Sequence, residues 1–217
     1  MDHTTSSNPL SNHQYRTFPV SYFILYGLFF ISGCAGIIYQ VMWQRLLFLL
    51  FGVDLESITI IVSVFMFGLG IGGLVGGKIA DRWPHQLLIL YVFVELAIAA
   101  FGYASPKLIM GLGNTLMTNS KIITASASFL LLAFPTLLMG ATFPLLVAHV
   151  NQYYQHVGHS VGNLYCINTL GAASGAFAAG FILLSFFDVF QSIHYAALSN
   201  LMVASIAWVM FQKVRPC

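Results

Sequence analysis

Long apolar runs alternate with short clusters of glycine, proline, asparagine and charged residues along this chain, and the runs set its architecture. A helix needs about 20 apolar residues to cross a bilayer. Six runs meet that length. The first starts at Val20 and reads to Trp43, with the apolar pattern continuing past Gln44 and Arg45 to Leu50. Either it is one strongly tilted helix, or it ends near Gln40 and Trp43, Gln44 and Arg45 lie at headgroup depth, where such residues are favoured. The second arrangement is the one expected here. The further runs are Ser57 to Gly77, Gln86 to about Ala104, Ile122 through Pro135 and Phe143, Ser160 to Leu184, and Val189 to Phe211. Residues 107–121 read as an external loop. Pro135 and Pro144 each remove a backbone hydrogen bond, which predicts a kinked or broken fourth helix.

The pattern therefore predicts an all-α polytopic membrane protein of about six transmembrane helices. A polar segment covers 1–19, the helical domain 20–212, and a short tail 213–217. The second run is unusual in holding Gly68, Gly70, Gly72, Gly73, Gly76 and Gly77. In water such a run makes a poor helix, but in lipid an unpaired peptide group costs several kcal/mol and the helix persists. Gly68, Gly72 and Gly76 share one face, where a neighbouring backbone can approach closely. Gly171 and Gly175 provide a similar face in the fifth run. An offset of 103 superposes Gly68, Gly72 and Gly77 on Gly171, Gly175 and Gly180, which leaves a three-plus-three pseudo-repeat open beside coincidence.

Composition supports the bilayer and narrows the chemistry. Only 6% of the 217 residues are charged against 59% hydrophobic, which excludes an ordinary soluble domain. Eight scattered Lys and Arg exclude a nucleic-acid surface. The first residues lack the features of a cleaved secretory signal, so the first helix is expected to stay. With six spans both termini share a face with Arg16, Lys78, Arg82, Lys213 and Arg215, while Arg45, Lys107 and Lys121 lie opposite. That bias places both termini in the cytoplasm of a bacterial inner membrane or its equivalent. Cys34, Cys166 and Cys217 suggest no disulfide framework.

Among ionisable residues Glu95 stands out, because a carboxyl at bilayer depth faces an interior, a cavity or a partner. It reads as a binding or proton-relay group, or as a buried acid, neutral or paired with Arg45 or Arg82 at a helix end. Tyr165, Asn168 and Thr169 bring polar groups into helix five, as interhelical glue or as ligand contacts. Lys78, Asp81 and Arg82 form either a topology signal with a local ion pair or a conformational latch. Trp43, Gln44 and Arg45 divide between interfacial anchor and pocket rim. His149, His156 and His159 fall in one polar connection, without a metal or haem pattern. No cofactor or metal is expected.

Three segments carry a family resemblance: GCAGIIYQVMWQRLLFLLFG from Gly33 with the glycine helix ending in GGKIADR, PTLLMGATFPLL from Pro135, and VGNLYCINTLGAASGAFAAGFILL from Val161. Together they resemble the membrane-embedded N-terminal region of the membrane-bound spermidine synthase-like proteins. The resemblance implies an acidic residue after Tyr39, where this chain has Gln40. It also implies an aminopropyltransferase domain after the last helix, with a glycine-rich nucleoside-binding turn and an acidic catalytic pair; residues 1–217 hold neither, so the chain is expected not to be an enzyme. Two functions follow. One is a transport or binding module for a small solute such as an amine, built around helices two and five, with Glu95, Gln40, Arg45, Tyr165 and Asn168 as candidate ligand groups. The other is a membrane anchor or scaffold for a separate partner. The lipid bilayer is the expected environment, with a homo-oligomer or hetero-complex as the working unit.

Overall fold

The computed structural model describes residues 20–116, 120–154 and 157–214, all in or between helices. Six of these helices are long and apolar enough to cross a membrane. They are α1 (Val20–Phe51), α2 (Asp54–Arg82), α3 (Leu87–Leu116), α4 (Lys121–Tyr154), α5 (Val157–Phe177) and α6 (Val189–Val214). After Phe177 the fifth span continues through a π-helical stretch, Ala178–Leu183, into a last turn, Leu184–Phe186. No strand is present among the described residues.

Several expected boundaries move outward, for one reason: inside a bundle, helical hydrogen bonds persist through residues that would end a helix in water. α1 does not stop near Gln40. Its 32 residues make one rod about 48 Å long at 1.5 Å per residue. It ends where Gly52 turns back at φ +66, a conformation other residues rarely adopt, with the Gly52 amide donating to the Phe48 carbonyl. The external loop expected over 107–121 is helix through Leu116, with Pro106 buried inside α3. α4 is likewise unbroken through Pro135 and Pro144. Threonine hydroxyls sit in the proline-bearing turns: Thr136 donates to the Leu132 and Ala133 carbonyls and Thr142 to that of Met139.

Trp43 is no interfacial anchor. Its side chain is fully buried, stacked on Tyr39 at 5.0 Å, and its indole N–H donates to Ser105 Oγ at 2.8 Å. A tryptophan that close to an arginine suggested headgroup depth, but the two occupy different faces: Arg45 is exposed while Tyr39, Met42, Trp43 and Leu46 turn inward.

The glycine faces lock two helix pairs, α2 on α4 and α5 on α1, and these pairs are copies of each other. A Cβ added at Gly72 would overlap the Leu137 carbonyl, and one at Gly171 the Phe30 carbonyl. One at Gly76 would meet Ala141, and one at Gly175 would meet Cys34. From the facing helices, Gly140 abuts the Leu69 carbonyl and Gly33 the Asn168 carbonyl. All three correspondences keep one register: 99 residues separate α2 from α5, and 107 separate α1 from α4. The remaining packing obeys the same exchange, with α3 on α4 matched by α6 on α1, and α3 against α6 at the centre. The offset of 103 is thus one helical turn out. Glycines four apart on both helices make registers differing by a turn look alike in sequence, and only the opposing backbone selects one.

Each repeat has three spans, an odd number, so the second enters the membrane from the opposite face and the pseudo-two-fold axis lies in the membrane plane. Gly72→Leu and Gly171→Leu are expected to destabilise the bundle equally, by about 1–3 kcal/mol of overpacking. Gly70→Leu and Gly77→Leu, where an added Cβ meets nothing within 4 Å, serve as controls that change little. Thermal unfolding in mild detergent checks this; a large difference between the Gly72 and Gly171 variants would contradict the repeat.

Candidate functional site

Where the two repeats meet, a cleft of about 430 Å³ opens at the middle of the helices. Its floor is a stripe of α1 (Ser32, Gly33, Gly36, Gln40) beside Met139 and Phe143 of α4. Leu69 and Gly73 of α2 form one wall; Tyr165, Asn168 and Ala172 of α5 form the other. Ile98 of α3 and Asn200 of α6 close the back. The repeat explains the placement, since Leu69 and Gly73 are the register mates of Asn168 and Ala172, and Gly33 is the mate of Gly140.

Behind that wall lies Glu95, fully buried on α3. Its two oxygens are held from two helices: Ser32 Oγ donates to Oε1 at 2.7 Å, and Asn200 Nδ2 donates to Oε2 at 2.6 Å. Neither Arg45 nor Arg82 takes part; both are exposed, so of the readings open for Glu95 the ion pair falls away. Two neutral donors satisfy the carboxyl while leaving its oxygens further lone pairs. Ser32 and Asn200 belong both to this network and to the cleft lining, so they connect Glu95 to whatever occupies the space.

The network is incomplete. Asn200 is 2% exposed and its Oδ1 has no hydrogen-bond partner among the described residues, although the residue faces the cleft. Tyr91, one turn before Glu95, is wholly buried, with its hydroxyl facing the same carboxyl. The Tyr39 hydroxyl, pressed against Gly102, is also unpartnered. The great majority of buried polar atoms are paired, so an orphaned acceptor beside a cavity marks space for a donor.

Of the residues singled out in the sequence, the cleft gathers Gln40, Tyr165 and Asn168, with Glu95 one hydrogen bond behind. Arg45 lies outside it. Tyr165 stands at the rim, 64% exposed and edge-on to Phe143. Lys78, Asp81 and Arg82 are exposed in the last turns of α2, and the ion pair found among the described residues is instead Lys121 with Glu56 at 3.0 Å. His194 packs on the Tyr103 ring, and no group of three metal-ligating side chains occurs among the described residues. His156 and Cys217 lie outside the described residues. Ser32 and Asn200 went unremarked in the sequence. The signal for Asn200 was an amide inside a span, the same that marked Asn168.

No protein-family model matches the chain, and no solved structure matches it. It is similar to a polyamine aminopropyltransferase of Oceanobacillus iheyensis, at 24% identity over 194 residues, which covers 88% of this chain and 36% of that protein. Polyamine aminopropyltransferase 2 of Streptomyces coelicolor is 26% identical over 173 residues, covering 76% of this chain and 30% of its own length. Polyamine aminopropyltransferase 1 of the same organism is 23% identical over 205 residues, covering 94% and 36%. The chain thus spans about a third of the curated relatives it matches. These names overturn the expectation that the chain is not an enzyme: each of these relatives is named as one, and exclusion of catalysis does not stand.

Asn200→Leu removes the donor to Glu95 Oε2 and is expected to cost about 1–3 kcal/mol, the range for stranding a buried polar group. Ser32→Ala should cost less, about 0.6 to 2 kcal/mol, typical of interhelical hydrogen bonds in membranes. Unfolding midpoints of both variants and of the double variant check this. Additive effects would contradict a shared carboxyl, because groups in one network couple.

Proposed function

We propose that this chain is a membrane-embedded module related to polyamine aminopropyltransferases, and that its mid-membrane cleft binds an amine. The carrying observation is the Asn200 side chain, which donates to the buried Glu95 carboxyl and leaves an unpartnered Oδ1 beside the cleft. An ammonium group supplies what that geometry lacks: N–H donors for the free acceptor and positive charge near a carboxyl in a low-dielectric interior. The word polyamine in the relatives' names points to the same class of ligand.

The repeat supports transport as the purpose of binding. Inverted three-helix repeats with a site on their common axis are the architecture of many secondary transporters, in which one pair of helices rocks against the other. Here the rigid pairs would be α2 with α4 and α1 with α5, each locked by glycine contacts. Both repeats and the whole cleft belong to one chain, so one copy suffices to build the site; a homo-oligomer or a partner protein would then add to it from outside. The excess of cations near the termini favours a bacterial inner membrane with both termini in the cytoplasm.

In lipid nanodiscs, at least one member of a panel of primary amines, from short diamines to alkylamines, should bind saturably, while alcohols of matching size do not. Asn200→Ala is expected to weaken that binding about tenfold, the loss of one charge-assisted hydrogen bond. Absence of saturable binding by every amine, or unchanged affinity in the Asn200 variant, would refute the reading.

A further inference from the structure

We infer that the ligand of the cleft is an amphiphile, with a single ammonium head and an apolar body, that reaches its site sideways from the bilayer. This rests on the amine reading above and adds the shape of the molecule and its route.

The route follows from what closes the cleft and what does not. Towards the N-terminal end of α1 it is capped by a dry cluster that includes Leu28, Phe29, Leu146, Val150 and Leu164. Towards the other end it is capped by another, centred on Tyr39, Trp43, Leu46 and Phe65, with Trp43 edge-on to Phe101. Sideways there is no such closure among the described residues. The walls α2 and α5 are not packed on each other, Leu69 and Tyr165 at their rims are 41% and 64% exposed, and the α1 stripe at Gly33, Gly36 and Gln40 is only half-buried. Since these residues occupy the middle of spanning helices, the open side faces hydrocarbon rather than water.

The shape follows from how the repeats differ. Under the register described above, Asn168 on the α5 wall is mated with Leu69 on the α2 wall, and Ser32 on the α1 floor with Met139 on the α4 floor. Thr142 is a polar exception on the α4 side, but its hydroxyl is turned onto its own helix at the Met139 carbonyl. Polar groups therefore line the half made by α1, α5 and the back wall, and apolar groups line the half made by α2 and α4. A molecule extended across both halves with an ammonium at each end would strand one of them against Leu69, Met139 and Phe143, and an unpaired charge there is strongly disfavoured. One head on Asn200 and an aliphatic body along the apolar half match each half to its own chemistry.

The probe is a dodecyl primary amine with a diazirine at the chain end, incorporated with the intact chain in phosphatidylcholine nanodiscs. Adducts are mapped by peptide mass spectrometry after illumination. The monoamine is expected to label the peptides that carry Leu69 and Met139 to Phe143. An α,ω-diamine and a hydroxyl-headed analogue of the same length should label them about tenfold less, the discrimination of one stranded or missing charged hydrogen bond. Leu69→Trp, which fills the open side without touching Glu95, should reduce labelling, and Glu95→Gln should erase the preference for amine over alcohol. Equal labelling by diamine and monoamine, with both dependent on Glu95, would overturn the amphiphile while leaving amine binding intact. Equal labelling by the alcohol would overturn the ammonium head, and no labelling of the cleft by any probe would overturn both readings.

Discussion

The structure depends on backbone-to-backbone contact at glycine. Lipid tails are as apolar as the side chains they would replace, so helices in a bilayer gain little from burying hydrocarbon and must associate through close packing and polar contacts. Gly72, Gly76 and Gly140 give α2 and α4 that closeness, and Gly171, Gly175 and Gly33 give it to α5 and α1. Two tight pairs result, and α2 and α5 each turn their glycine face to a different partner rather than to each other. The gap between α2 and α5 is the direct consequence, and the cleft occupies it. A bundle with evenly spread small residues would have closed around its centre.

A second interaction then sets the chemistry of the space. Glu95 needs partners inside the membrane, and it finds them on α1 and α6 rather than in a cation. Ser32 and Asn200 bring three helices to one carboxyl, so the site stabilises the packing of the central helices and is held rigid by it. Two small neutral donors also leave lone pairs of the carboxyl open, whereas the fork of an arginine at the same place would have engaged both oxygens.

Much of the fold was legible in the sequence because the bilayer imposes a single ruler. Six long apolar runs became six spans, and the glycine faces each met a neighbouring backbone, though their spacing did not say which. What the sequence misplaced were the ends and the breaks. Pro106, Pro135 and Pro144 look like terminators only when water can take over the freed carbonyls, and Trp43 looks like an anchor only until Tyr39, four residues earlier, turns it inward. The π-helical stretch at Ala178–Leu183 has no marker in the sequence beyond Gly180. In the site, Glu95 was conspicuous because charge in a span is rare, but its partners were not. A serine and an asparagine are common enough in membrane helices that only their distance from a carboxyl sets them apart.

The flip that relates the two repeats also bears on how the chain is born. A bundle whose halves exchange when the membrane is turned over fits a bilayer equally well either way up, so the packed core carries no instruction about which face should meet the cytosol. That instruction must come from residues outside the symmetric core. With eight lysines and arginines in the whole chain, a handful of them at helix ends decides the matter during insertion, before any tertiary contact exists. Moving two or three of those cations would turn the molecule over with every helix-to-helix contact unchanged.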